Sequence, residues 1–389
     1  MSRTLEQHLF DPGPKRILAL DGGGIRGILT LQILRRIETL LRARSGRGED
    51  FRLCDYFDLI GGTSTGAIIA AGLAVGLSVD ELEDMYKALG NDIFQDDYLR
   101  WGIFRPKFSA KPLRTALEAT FGDIRLGDPA IRTSLAVMLK RLDTGSPWVL
   151  HNNPKGRYFQ KRPGGKGVAN RDYLLRDVVR ASTAAPHYFE PEMITVAEDA
   201  AGHQVQGAFV DGGVSPHNNP ALQLLLLATL KGYGLHWSTG ADQLLLVSLG
   251  TGRWEMAEDP AALGKAMDIK LAMQSLASLM DDALALNELL LQWLSGSATA
   301  RPIDREVGDL AGDVLGGGAP WLSYHRYNAV LSADWLQQHV GLALTPKELD
   351  KLQQMDEPKN MGLLVKIGKA AAKQVDKAHF PAAFDVARP

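Results

Sequence analysis

At 389 residues, 45% hydrophobic and 23% charged, the chain has the make-up of a folded protein, with material for one large domain or two ordinary ones. A formal net charge of −2 excludes the basic excess by which nucleic-acid-binding proteins are recognised, so no nucleic-acid partner is expected. Cys54 is the only cysteine, which rules out an internal disulfide, and no Cys/His cluster has metal-ligand spacing, so neither metal nor cofactor is expected.

The opening residues, MSRTLEQHLFDPGPKR, lack the apolar core of a secretory signal. The longest apolar stretches, 66–77 and 222–230, fall short of the roughly 20 residues that span a bilayer. The expectation is a soluble, cytoplasmic protein that touches a membrane only peripherally, from one side.

In chain order, ILAL (17–20) reads as a short buried strand that runs into DGGGIRG (21–27). From Ile28 to Arg44, Leu31, Leu34, Ile37 and Leu41 recur at helical spacing. YFDLIGG (56–62) is a second strand, leading through GTSTG (62–66) into a small-residue helix to Leu77. The next helix opens on Ser78 with Glu81 three residues on, a capping box. SLAVMLKRL (134–142) is a strand followed by a long polar loop, 143–172, and YLLRDVVRASTAAP (173–186) is a helix stopped by Pro186. VQGAFVDGG (205–213) and QLLLVSLGTG (243–252) are strands ending in glycine turns, with a buried helix, 220–230, between them. Short apolar strands alternating with helices imply a mainly parallel sheet covered by helices.

Beyond about residue 254 the character changes. Asp268 to Leu294 is one long helix, apolar nearly all round, which suits a cover over an apolar site, plain core or an oligomer contact. The tail 346–380 is helical and charged, with Lys366, Lys369, Lys373 and Lys377 on one face: either a docked surface helix or one resting on an anionic bilayer. The oligomeric state is not legible.

Three glycine-rich strand ends carry the chemistry. GTSTG is a G-x-S-x-G sequence at a strand-to-helix turn, where the serine, Ser64, is forced into strained backbone and pushed out of the sheet edge. Gly62 and Gly66 relieve crowding on either side of it, and the following helix aims its amides and partial positive charge at the same spot. DGGGIRG lets successive backbone N–H groups converge on an oxygen, which suits a phosphate or the oxyanion of an acyl intermediate. Gly22, Gly24 and Gly27 also satisfy the dinucleotide fingerprint, but Glu49 and Asp50, the acids near the required spacing, precede the next strand instead of ending it. A serine hydroxyl needs a base. Of the histidines after residue 211, only His217 lies near a strand end, and it reads as a wall residue. Asp211, just past an apolar strand and followed by Gly212 and Gly213, is the better candidate, its pKa raised by partial burial.

These elements in this order resemble the patatin-like phospholipases. The resemblance covers about residues 14–252, rests on DGGGIRG, GTSTG and FVDGG, and is supported by ASTAAP (181–186) and VSLGTG (247–252). It implies a three-layer α/β/α fold with a mainly parallel central sheet, a catalytic domain over 14–253, and a mostly helical C-terminal extension over 254–389. It also implies hydrolysis of phospholipid or other acyl-lipid esters, of phospholipase A or lysophospholipase type, without a metal. By the resemblance, Ser64 is the nucleophile, Asp211 the base, and the amides around Gly22, Gly23, Gly24 and Ile25 the oxyanion hole. Arg26 orders the glycine loop or meets a phosphate headgroup. The alternatives are a non-catalytic or nucleotide-regulated anion-binding module and an NAD(P)-binding oxidoreductase.

Overall fold

The computed structural model describes residues 3–93, 108–254, 268–310 and 312–386. Among the described residues nine strands form one mixed sheet: β1 (Lys15–Leu20), β2 (Leu59–Thr63), β3 (Ser134–Arg141), β4 (Ser146–His151), β5 (Glu192–Glu198), β6 (Gln204–Asp211), β7 (Leu244–Leu249), β8 (Ser295–Gly296) and β9 (Leu322–Tyr327). The order across it is β5-β6-β3-β2-β1-β7-β9-β8, with β4 paired to β3. The half from β3 through β2, β1, β7 and β9 to β8 is parallel, whereas β4, β5 and β6 are joined by antiparallel pairing.

Helices α1 (Leu5–Phe10), α2 (Gly27–Ser45), α3 (Leu53–Tyr56), α4 (Thr65–Ala74), α5 (Val79–Ile93) and α6 (Lys111–Phe121) belong to the first third. Then come α7 (Leu175–Ser182), α8 (Ala221–Thr229), α9 (Asp268–Leu294), α10 (Ala333–Val340), α11 (Pro346–Gln353) and α12 (Met361–Ala371). β1 is buried along its whole length, as a strand covered on both faces must be. Its side chains alternate between two cores: Leu18 and Leu20 pack with Ile28, Leu31 and Leu34 of α2, while Ile17 and Ala19 pack with Leu224 and Leu227 of α8. The layers are therefore helix, sheet, helix, as the resemblance implies. Gly61 admits α8 closely, for a Cβ there would stand 2.5 Å from Leu224.

The capping box at α5 forms, the Ser78 amide donating to the Glu81 carboxylate at 2.7 Å and the Glu81 amide to the Ser78 hydroxyl at 3.2 Å. Three findings depart from the pattern read along the chain. The polar loop after β3 contains β4, a half-covered strand whose apolar and polar residues do not alternate cleanly. The charged tail is not one helix: α12 ends at Ala371 and short 3₁₀ turns follow, so Lys373 and Lys377 leave the face shared by Lys366 and Lys369. α12 docks on α2, its Gly368 lying where a Cβ would meet the Leu29 carbonyl at 2.7 Å. β8 and β9, from beyond residue 254, extend the same sheet beside β7. Among the described residues no helix is long and apolar enough to cross a membrane.

Candidate active site

β2 ends at Thr63 and α4 begins at Thr65, so the chain turns on one residue, Ser64, held at φ 56° and ψ −125°. That left-handed geometry costs a non-glycine residue free energy and persists only where the surroundings enforce it. The enforcement is visible. A Cβ on Gly62 would meet the Gly66 carbonyl at 2.1 Å, and one on Gly66 would meet the Leu20 carbonyl of β1 at 2.2 Å. The Ser64 amide donates to the Ser182 hydroxyl at 2.9 Å, which in turn donates to the Met138 carbonyl of β3 at 2.6 Å.

The register of β3 explains how Asp211 arrives beside Ser64. β2 pairs with one edge of β3 as far as Thr63 opposite Met138. β4 occupies the other edge. β6 takes over the first edge where β2 stops, placing Asp211 opposite Leu139, one residue further along β3. Thr63 and Asp211 thus stand opposite consecutive positions of a third strand, which brings Asp211 to Ser64, 147 residues away in the chain. The Ser64 side chain faces the Asp211 carboxyl closely enough to favour its ionised form. Asp211 is 4% exposed and its carboxylate also accepts the Gly213 amide at 2.7 Å. Burial pushes its pKa up to about 6, and the nearby Ser64 side chain and the Gly213 amide oppose but do not cancel that rise. The Asp211 amide donates to the Ala184 carbonyl at 3.0 Å.

The glycine loop lies against this pair. Each of its three glycines serves a different close approach: a Cβ on Gly22 would meet Asn218 at 2.4 Å and Ser64 Cβ at 3.1 Å, on Gly23 Thr251 at 2.1 Å, and on Gly24 the Met355 carbonyl at 2.3 Å. The four amides expected to hold an oxyanion divide into two kinds. Gly22 N–H donates to the Asn218 carbonyl at 3.1 Å and Ile25 N–H to the Met355 carbonyl at 2.8 Å. The Gly23 and Gly24 amides have no acceptor among the described residues. Arg26 is buried, reaches back to the Gly23 carbonyl at 3.4 Å and stacks 4.6 Å from the Trp254 ring centroid. Burial lowers its pKa to about 10, and its Nη1 has no partner among the described residues. Tyr86 ties the loop to the serine turn, its hydroxyl donating to the Gly24 carbonyl and meeting Thr65 Oγ1 at 2.6 Å. His217 contributes its backbone carbonyl, which accepts from Thr63 Oγ1 at 2.5 Å, rather than its ring. Among the described residues no group of three or more His, Cys, Asp or Glu side chains is arranged to hold a metal ion.

Residues 18–225 match the sequence profile of patatin-like phospholipases. The chain belongs to the patatin-like phospholipase family. Members of that family are lipid acyl hydrolases. It is 31% identical over 259 residues to a cGAMP-activated phospholipase of Escherichia coli (strain TW11681), a match covering 64% of this chain and 65% of that one. It is also 31% identical over 248 residues to patatin group J-1 of Solanum tuberosum, covering 61% and 60%. The matches thus span less than two thirds of the length of these relatives. Among solved structures, human GIVD cytosolic phospholipase A2 superposes with a TM-score of 0.44 at 10% identity, over 94% of this chain and 60% of that one.

Ser182 and Ala184 lie in ASTAAP, the segment that supported the family resemblance, and the structure shows the segment bonded to Ser64, Asp211 and β3 alike. Their part was not read from sequence; the available signal was a pair of adjacent hydroxyls, Ser182 and Thr183, among small residues between a helix and a proline. Ser182→Ala leaves the Ser64 amide and Met138 carbonyl without this partner inside a fully buried position. We expect it to cost about 1–3 kcal/mol of stability and to lower kcat on an ester substrate with KM little changed, read by thermal melting and steady-state kinetics. Unaltered kcat would remove Ser182 from the positioning of Ser64.

Proposed function

We propose that the protein hydrolyses acyl-lipid esters through Ser64 and Asp211, in the manner of a phospholipase A or lysophospholipase. The observation that supports this reading is the placement of Ser64, at its strained turn, beside the buried Asp211 carboxylate and at the foot of a loop with two unengaged amides. Asp211 takes the Ser64 proton as Oγ attacks the ester carbonyl. The Gly23 and Gly24 amides receive the oxyanion, where preorganised donors lower the barrier by about 3–4 kcal/mol each. Collapse of the tetrahedral intermediate expels the alcohol, protonated from Asp211, and leaves an acyl-Ser64. Water, deprotonated by Asp211, then releases the fatty acid and restores the serine. The Arg26 Nη1 is assigned to the phosphate of the headgroup. The catalytic domain is taken as 14–253, with 254–389 packed on it.

Substrate at a lipid surface calls for an apolar contact from one side. Leu279, Leu286 and Trp293, seven residues apart on α9, are exposed and would serve a peripheral approach. The test is incubation with mixed phospholipid vesicles and with a soluble short-chain ester, followed by mass analysis of products, beside labelling with a fluorophosphonate. Fatty acid release, faster from vesicles, with label on Ser64 is the expected result. An unlabelled serine and intact lipid would instead leave an anion-binding module without turnover.

Because Asp211 must be ionised to accept the proton and its pKa lies near 6, kcat/KM is expected to rise about tenfold per pH unit below that value and to flatten above it. A rate profile flat from pH 5 to 8 would contradict the assignment of the base.

A further inference from the structure

Arg180, on α7, is 1% exposed, the largest fully buried side chain among the described residues. A guanidinium so deep in the fold is costly unless its donors are met, and they are met only in part. Nη2 donates to the Glu190 carbonyl at 3.3 Å, and the group lies 5.1 Å from the Phe189 ring centroid. Nε stands 3.8 Å from the Glu192 carboxylate, beyond hydrogen-bonding reach. Nε and Nη1 have no hydrogen-bond partner among the described residues. Nor does Glu192 lack a cation: Arg114 of α6 already holds both of its oxygens, at 2.7 and 2.6 Å. One turn earlier on the same helix, Arg176 reaches outward to Asp123 at 2.6 Å. Pairing with Glu192 alone therefore leaves the burial of Arg180 unexplained.

The register of β5 and β6 brings a second carboxylate to the same place. Glu192 stands opposite Phe209, and Asp211 lies two residues further along β6. Side chains two apart on a strand share a face, so Glu192 and Asp211 are diagonal neighbours, with roughly 7–8 Å between their Cα atoms. α7 covers that face: Val178 and Val179 share the core of Phe209, and Ala184, four residues past Arg180, accepts the Asp211 amide. Other charges near the base are answered elsewhere. Arg141, opposite Phe209 on β3, lies 2.7 Å from Asp143. Asp177 on α7 lies 3.9 Å from Arg176, and burial holds the His217 imidazole below its ordinary pKa. Desolvation raises the Asp211 pKa, and among the charged groups around it Arg180 is the one that pulls it back down.

On the reading of Asp211 as the base, we infer that Arg180 is its positioning residue: a buried cation, short of partners, whose charge keeps the carboxylate ionised and ready to take the Ser64 proton at neutral pH. A carboxylate in a dry site reverts to the neutral acid unless a counter-charge is close, and a neutral acid cannot serve as the base.

The test compares kcat/KM on a soluble short-chain ester from pH 5 to 9 in the wild-type chain, Arg180→Gln, Arg180→Lys and Glu192→Gln. Arg180→Gln is expected to move the rising limb to higher pH by about 0.5–1 pH unit, so that kcat/KM falls roughly three- to tenfold at pH 5.5 and returns near the wild-type value at pH 9. Arg180→Lys keeps the charge and should return the limb most of the way. Glu192→Gln keeps Arg180 but removes the carboxylate that competes for its field, and should move the limb the other way. Because Arg114 still holds Glu192 in Arg180→Gln, that carboxylate is not stranded and the fold should persist.

A second measurement needs no turnover. Burial makes ionised Asp211 costly, so Asp211→Asn gains stability as pH rises from the unfolded pKa to the folded one. In the wild-type background that gain levels off near pH 6; with Arg180→Gln it should go on growing above pH 6, read by urea unfolding. Absence of ester turnover would defeat the hydrolytic reading, and the unfolding curves would then decide the part of Arg180. Three results overturn that part: kcat/KM lowered in Arg180→Gln by one factor at every pH, the mark of a merely structural arginine; a limb that Glu192→Gln leaves unmoved; or an Asp211→Asn gain with the same pH dependence in both backgrounds.

Discussion

Ser64→Ala and Asp211→Asn are each expected to lower ester turnover by on the order of 10⁴–10⁶-fold, and the double variant to lose no more than the worse of the two. The last clause carries the mechanism. A hydroxyl without its base and a base without its hydroxyl are equally idle, so removing the second member of a pair that acts as one unit has nothing left to take away. Losses that multiply would mean that the two residues act independently. Neither change should unfold the protein, because the Ser64 turn is held by its backbone amide and by the glycines around it rather than by Oγ. Asp211→Asn should even stabilise it. A carboxyl whose pKa is raised by burial is best tolerated in its neutral form; the stability it contributes is present below its unfolded pKa and lost as pH rises to about 6. An amide avoids that loss, keeps an oxygen for the Gly213 N–H, and is expected to gain on the order of 1–3 kcal/mol at pH 8 with little change at pH 4. Fatty acid release and urea unfolding at the two pH values read both effects.

What could be read along the chain was whatever local sterics dictate. Gly62 and Gly66 must be small because a turn with Ser64 at positive φ brings their surroundings within about 2 Å of a Cβ, and that requirement is written in five consecutive residues. The parallel core from β3 to β7 was equally legible, since short apolar runs such as Ile17–Leu20 and Leu244–Leu249 admit little but buried strands. The antiparallel flank was not. β4 and β5 are only half-covered, and nothing local says that β6 will take over the edge of β3 where β2 ends. The pairing that brings Asp211 to Ser64 lives in that register, which is a property of three strands at once. The glycine loop was read as four equivalent donors; two of them are already engaged, by Asn218 and by Met355, one nearly 200 and the other 330 residues away.

Arg326 is the residue whose loss should damage the fold most. It sits inside LSYHRY, an otherwise strand-like run, and an arginine buried there was the one sign that something charged awaited it. Its guanidinium grips Asp21, the residue before the glycine loop, at 2.9 and 2.5 Å, reaches the Ser248 hydroxyl of β7 at 2.8 Å, and meets Glu288 of α9 at 3.1 Å. All three ionic groups are at most 7% exposed. The C-terminal third is therefore bonded into the base of the loop whose amides we propose as the oxyanion hole. Arg326→Met keeps volume but strands two carboxylates, Asp21 and Glu288, in the interior, and Arg301 neutralises only Glu288. We expect a loss of about 3–5 kcal/mol, measured by urea unfolding. In the variant, Asp21 has lost its counter-charge, so burial drives its pKa upward; its neutral form is tolerated and its ionised form is not, and the loss should be larger at pH 8 than at pH 5. Adding Asp21→Asn to Arg326→Met removes the stranded charge and should recover much of the stability, while leaving turnover low if the clamp is also what keeps Gly23 and Gly24 aligned over Ser64. Recovery of both together would mean that the loop holds its shape without the clamp, and no recovery of stability would mean that Asp21 was never the charge that mattered.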